Sequence, residues 1–217
     1  MTLKKTFSSI CGLLSVACLI NTTAIASEAM LRDFFSDVTT LQASFKQQVV
    51  DETGFTLDRS SGVVYLKRPG QFRWDYFSEE IDAEESLTQQ ILADGQFIYL
   101  YDPELEQATR RNLQDALAQV PSLLLVQTGA NVDEHFEILD FGVTDGLSWV
   151  ALTPKDVDAA YQQLMIGFDQ GDLVAIELLD GLGNETRLVL ENVKTNSTLE
   201  TQTFTFAPPQ GVDLLTE

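Results

Sequence analysis

Three Asp-Gly pairs, Asp94-Gly95, Asp145-Gly146 and Asp180-Gly181, each separate two short apolar runs. The type I′ turn that joins antiparallel strands needs positive φ at both central residues, and Asp-Gly suits it. Gln170-Gly171 adds a fourth turn between Gln163–Phe168 and Leu173–Leu179. A chain punctuated in this way reads as a meander. Strands are predicted over residues 41–51, 60–68, 71–77, 88–93, 96–102, 105–111, 136–143, 147–154, 162–169, 172–179 and 185–195, with a short one at Thr203–Phe206. So many sequential strands curl into a barrel or half-barrel, which limits exposed edges.

Helices are few. Ser27 is placed as an N-cap ahead of Glu28, with Leu31, Phe34, Phe35 and Val38 on one stripe. Asn112 caps a second helix whose stripe is Leu113, Ala116, Leu117 and Val120, and Pro121 stops it. Ser122 opens a third segment, Leu123-Leu124-Leu125-Val126, closed by Gly129. That run is apolar all round, so it is either deeply buried or covers something apolar. Several strands also carry an apolar face, as in Leu164, Ile166 and Phe168, or Leu188 and Leu190. With so little helix to cover it, an open barrel lined this way is either filled by side chains or keeps a greasy cavity.

The chain opens with a leader: basic Lys4 and Lys5, apolar Phe7–Ile20, and Ala24-Ile25-Ala26 as an A-x-A cleavage signal. Cleavage of residues 1–26 would leave 191 of the 217 residues, Ser27–Glu217, as one exported domain. Ser15-Val16-Ala17-Cys18 is a rival lipobox, but Ser15 stands where that signal wants Leu, so free release is favoured. Both cysteines, Cys11 and Cys18, lie in the leader, which leaves the exported chain without thiol or disulfide. Loss of Lys4 and Lys5 takes the net charge from −20 to −22, which argues against nucleic acid and against unaided adsorption to anionic lipid.

No cofactor, metal or catalytic constellation is expected. His135 is the only histidine and reads as a surface or cap residue. There is no H-E-x-x-H, phosphate loop or calcium loop, and Gly181-Leu182-Gly183-Asn184 lacks the strand–helix context of a dinucleotide site. An enzyme is not the expected reading.

The stretch Ser61–Tyr76 carries the sharpest pattern. Gly62–Arg68 and Gln71–Phe77 read as strands joined across Pro69-Gly70. Val64, Leu66 and Arg68 share one face of the first, and Phe72, Trp74 and Tyr76 one face of the second. The R-P-x-x-F-x-W within it resembles the core motif of the periplasmic outer-membrane lipoprotein carrier family, LolA. The segment Ala93–Thr109, ADGQFIYLYDPELEQAT, and the segment FTFAPPQGVD near the C-terminus resemble the same family in order and spacing. The resemblance covers essentially the whole chain after the leader.

That resemblance implies an incomplete, open antiparallel β-barrel of about 11 strands, mainly β, with short lid helices over an apolar cavity. It implies a monomeric periplasmic chaperone that takes acylated lipoproteins from an inner-membrane Lol ABC release complex and passes them to a LolB-type outer-membrane receptor. The family's arginine maps to Arg68, expected to latch the lid, and its phenylalanine and tryptophan map to Phe72 and Trp74. The acyl chains are expected to meet Val64, Leu66, Phe72, Trp74, Leu113, Leu117, Leu123, Leu124 and Leu125. Orphan carbonyls of lid segments ending near Val120 and Thr128 are the expected acceptors for Arg68. Arg73 is given no role. A lipid-sensing periplasmic regulator or a general fatty-acid or apolar-ligand binder are the alternatives.

Overall fold

In the computed structural model, which describes residues 26–78, 86–116, 125 and 132–216, twelve strands form one continuous sheet. Helix α1 (Ala26–Asp37) leads into β1 (Thr40–Val50), β2 (Thr56–Lys67), β3 (Gln71–Phe77), β4 (Leu87–Asp94), β5 (Phe97–Asp102) and β6 (Gln107–Asn112). Short α2 (Leu113–Ala116) and α3 (Val132–His135) precede β7 (Phe136–Thr144), β8 (Leu147–Pro154), β9 (Tyr161–Asp169), β10 (Asp172–Asp180) and β11 (Glu185–Thr195). The last strand is β12 (Asp213–Thr216). The sheet order is β12-β6-β5-β4-β3-β2-β1-β11-β10-β9-β8-β7, and its two end strands do not pair with each other. This is the expected open, mainly antiparallel architecture.

Two details differ from expectation. Thr203–Phe206 is not a strand: Thr201–Phe204 is a 3-10 turn, with Phe204 buried against β3 and β4. Phe206 stacks on Tyr99 at 4.7 Å. The aromatic alternation that reads as a strand instead pins this segment to the outside of the sheet. The twelfth strand comes later and pairs in parallel with β6. Ser27 lies inside α1 with its hydroxyl buried, so it does not cap the helix.

The turns also divide. Asp145-Gly146 (φ 52° and 85°) and Gln170-Gly171 (49° and 100°) have positive φ at both central residues, as a type I′ turn requires. The other two Asp-Gly pairs work through the carboxylate instead. Asp94 Oδ1 accepts the N–H groups of Gln96 and Phe97, and Asp180 Oδ1 those of Leu182 and Asn184, all at 2.8 Å. These backbone bonds, with that from Asn184 Nδ2, hold the Asp180 carboxyl below the usual carboxylate range against the opposing effect of burial. Glycine matters most at Gly62, where a Cβ would sit 1.9 Å from the Asp75 carbonyl and 2.7 Å from the Phe45 ring.

Sheet neighbours from β1 to β11 run antiparallel, so the connections of the meander fall at two ends. We refer to the end with the α1–β1 and β2–β3 connections as the lower end. The connections 51–55, 103–106, 155–160 and 181–184 lie at the upper end. In the lower half the inner face is filled. Leu41, Ala43, Val64, Leu66, Phe72, Ala93 and Phe168 form one buried cluster with Leu31, Phe34 and Phe35 of α1, which rests on β7, β8 and β9. Phe34 meets Phe168 edge-on at 6.3 Å between centroids.

Candidate functional site: an apolar cavity and its arginine

The upper half is not filled. A cavity of about 240 Å³ lies between the β3–β4 wall, with Trp74, Tyr76 and Ile91, and the β9–β11 wall, with Leu164, Ile166, Ile176, Leu178, Thr186 and Leu188. Gln47 of β1 and Leu125 complete it. Since β3–β4 and β9–β10 lie far apart in the sheet order, the sheet must curl to bring both walls to one space. Trp74 and Tyr76 are stacked at 6.1 Å, and Phe45 meets both edge-on at 5.2 Å, which makes the β3 wall rigid. Burial, with a smaller effect from the charge of Asp58, pushes the Tyr76 phenol well up, so it stays protonated. Both alternatives left open by the apolar strand faces are therefore present, one in each half.

The expected cavity residues separate accordingly. Trp74 and Leu125 are on the cavity wall. Val64, Leu66, Phe72 and Leu113 are buried, but in the filled core and not on that wall. Val64 and Leu66 pair with Trp74 and Phe72 across β2–β3, so Val64 and Leu66 support the β3 aromatics. Leu117, Leu123 and Leu124 lie outside the described residues, as do Val120 and Thr128. Most of the wall comes from β9, β10 and β11, whose alternating apolar residues were the available signal; the alternation did not say which half of each strand faces a void.

Arg68 sits at the lower end, just past β2, and its guanidinium points inward. Nε donates to the carbonyl of Leu125 at 3.1 Å, and Nη1 to the carbonyls of Phe34, at 2.9 Å, and Val38. Phe34 lies in the last turn of α1, where its carbonyl also accepts the Val38 N–H at 3.3 Å, and Val38 lies just past the helix end, where carbonyls have no i+4 partner within the helix. That last turn holds no basic residue of its own, so Arg68 supplies the cation from another element. The guanidinium carbon also lies 4.6 Å from the Phe34 ring centroid and 5.0 Å from that of Phe35. Burial lowers the Arg68 pKa from 12.5 to about 10, which leaves it charged at neutral pH. Arg68 thus joins α1 to the segment whose Leu125 side chain closes the cavity. The acceptors on α1 were not foreseen, because backbone carbonyls carry no sequence signature.

Arg73 is not idle. On the outer face its Nε donates to Asp75 Oδ2 at 2.8 Å, while Gln90 donates to Asp75 Oδ1 at 2.7 Å. Asp75 and Gln90 are both buried. His135 is exposed at the end of α3, as expected. Among the described residues no group of His, Cys, Asp and Glu could hold a metal ion, and no helix is long and apolar enough to cross a membrane.

Residues 36–207 match the family model described as outer membrane lipoprotein carrier protein LolA. The chain belongs to the LolA family. Its relatives include the outer-membrane lipoprotein carrier protein of Methylococcus capsulatus, 37% identical over 86% of both chains. That of Dechloromonas aromatica is 35% identical, again over 86% of each. Among solved structures, an uncharacterized conserved protein from Thermus thermophilus superposes with a TM-score of 0.50 at 12% identity, covering 88% of this chain and 99% of that one. At that identity the likeness is one of fold. The LolA match spans the hairpin with Arg68 and the strands of both cavity walls.

Proposed function

We propose that this LolA-family chain is a periplasmic carrier of acylated lipoproteins, holding their acyl chains in the upper cavity, and is not an enzyme. The observation that carries this reading is an apolar cavity in an unclosed sheet, one of whose wall residues, Leu125, is tied through its carbonyl to Arg68. In this reading residues 1–26 are a cleaved leader and 27–217 the released domain. Cargo comes from an inner-membrane ABC release complex and goes to a LolB-type receptor at the outer membrane.

The energetics suit a carrier. Each buried CH₂ of an acyl chain is worth about 0.8 kcal/mol, and a hydrogen bond to a charged donor about 1.5–3 kcal/mol. A few methylenes therefore outweigh the bond from Arg68 to Leu125, so loading can open the latch. Conversely, re-forming that bond favours release. A space of about 240 Å³ is below the roughly 300–1,000 Å³ of sites that bury a drug-sized ligand. Several acyl chains need the Leu125 side of the cavity to move, which is the movement Arg68 opposes.

Purification from the periplasm followed by mass analysis tests the reading. Co-purifying triacylated lipoproteins are expected. Free fatty acids alone would favour a general apolar-ligand binder, and failure of the native protein to bind a fluorescent fatty acid would remove the cavity from the argument.

A further inference from the structure

The cavity wall is apolar along most of its depth but not at its upper end. Trp74, Leu164, Ile166, Ile176 and Leu188 line the deeper part, and Leu125 closes it. Three polar side chains, Gln47, Tyr76 and Thr186, complete the wall, and each lies within three residues of the upper end of its strand. A site for alkyl chains alone gains nothing from them, because a polar group shut off from water without a partner costs free energy. A few polar groups gathered at one end of an apolar pocket fix the orientation of what enters it.

Strand register puts the three side by side. Gly62 of β2 stands opposite both Phe45 of β1 and Tyr76 of β3. The Phe45 ring occupies the space a Cβ on Gly62 would need and meets the Tyr76 ring edge-on. Gln47, two residues further up β1, shares the face of Phe45 and donates through Nε2 to Ser60 Oγ at 3.4 Å. That bond is long, and the amide has a second hydrogen to give. On the other side Leu188 pairs with Gln47 and Thr186 with Val49, so Thr186 is the diagonal neighbour of Gln47 on one face.

Charge decides which polar group fits against them. Asp58 pairs with Val49 on the same inner face and is exposed at the opening. Its negative charge reaches the Tyr76 phenol, where it adds to the larger effect of burial and keeps that hydroxyl a donor. The basic residues of β1, β2, β3 and β11, namely Lys46, Arg59, Lys67, Arg73, Arg187 and Lys194, alternate to the outer face. Arg68 lies at the lower end, committed to backbone carbonyls. Among the described residues of these strands, a carboxylate at the upper end would therefore meet Asp58 and no cation. An uncharged carbonyl would meet neutral donors.

We propose that Gln47, Tyr76 and Thr186 form a subsite for the uncharged carbonyl of an acyl ester or amide, with the chain running down toward Leu125, and that Asp58 sets this subsite against free carboxylates. This deepens the carrier reading, on which it rests: acyl chains enter methyl end first and leave their linkage at the opening.

The test measures binding of a conjugated-polyene fatty acid, its methyl ester and the parent polyene hydrocarbon to the mature protein at neutral pH. The acid should still bind through its chain, but about tenfold or more weaker than the ester. Tyr76→Phe with Thr186→Val should weaken the ester by about fivefold or more, as loss of two neutral hydrogen bonds requires. The same double variant should bind the hydrocarbon as the wild type does, which also checks its fold. Asp58→Asn should tighten the acid by roughly twofold or more and leave the ester unmoved. Equal wild-type affinity for acid and ester, ester binding untouched by the double variant, or equal weakening of ester and hydrocarbon would each overturn the proposal. Acid binding unmoved by Asp58→Asn would remove Asp58 from it. A subsite-dependent ester preference in a protein that moves no lipoprotein to outer membranes would leave the subsite standing and sink the carrier reading instead.

Discussion

Replacing Arg68 by leucine separates a latch from a helix cap. The substitution removes three donations, but they act on different things. Those to Phe34 and Val38 complete the end of α1, while only the Nε bond to Leu125 ties down the wall of the cavity. If the loaded state has already given up the Leu125 bond, its loss weakens only the empty state. One charged hydrogen bond is worth about 1.5–3 kcal/mol, which at about 1.4 kcal/mol per factor of ten shifts the balance toward retained cargo by roughly ten- to a hundredfold. The global effect should be smaller. The depressed pKa of Arg68, about 10, means that burial disfavours its charged form at every pH below that value. Removing the charge therefore returns part of what α1 loses. The assay loads each variant with a triacylated lipoprotein and follows its passage to outer membranes bearing the receptor. Arg68→Leu should load normally and release slowly, and Arg59→Leu, exposed on β2, should match the wild type. Hydrogen exchange of α1 amides reads the capping role separately. If Arg68→Leu delivers cargo as fast as the wild type while α1 exchanges faster, Arg68 is a cap and the latch is refuted.

Arg73→Leu should act on stability and not on transfer. It leaves the buried Asp75 carboxylate with Gln90 alone and should cost about 1–3 kcal/mol in urea unfolding; unchanged stability would show that Gln90 suffices. Ile176→Trp should fill the cavity, lowering affinity for a fluorescent fatty acid at least about tenfold with at most about 1–3 kcal/mol of overpacking. Undiminished binding would place the ligand elsewhere. The carboxyl of Asp180 is held down in the folded chain, so its contribution to stability is fully present above about 3.9, the unfolded value, and is lost as pH falls through the lower folded value. Asp180→Asn should therefore flatten the acid side of the stability profile below that point and leave neutral behaviour nearly unchanged. An identical slope in both proteins would assign the acid loss to other groups.

The strand order was legible because it rests on short-range chemistry. Period-two apolar runs between turn residues gave eleven strands to within a few residues, but the Ser61–Tyr76 hairpin is shifted from a turn of Pro69-Gly70 alone: β2 ends at Lys67, Arg68 joins the turn, and Leu66 stands opposite Phe72 and Val64 opposite Trp74. What lay beyond reach was whatever depends on the third dimension. An apolar residue looks the same whether it meets another side chain or a void, so Val64 and Phe72 could not be told from Ile176 and Leu178. The Thr201–Phe206 segment shows the same limit: Phe204 and Phe206 alternate as in a strand, but a ready-made aromatic surface on Tyr99 captures them.

The acidity divides along the same line. Six aspartates, 51, 94, 102, 140, 156 and 180, accept backbone N–H groups two to four residues further on. Such a turn works best with an ionised carboxylate, since a charged acceptor holds the N–H more strongly than a neutral one. Part of the negative charge is therefore built into the meander itself, wherever a loop is shaped by a carboxylate instead of by glycine alone. Four of the six lie at the upper end. The same residues that shape those loops thereby place negative charge beside their exposed apolar side chains, Phe55, Leu105, Val157 and Leu182, so loop geometry and local electrostatics have one cause. Neutralising one such carboxylate would loosen its tip as well as remove its charge.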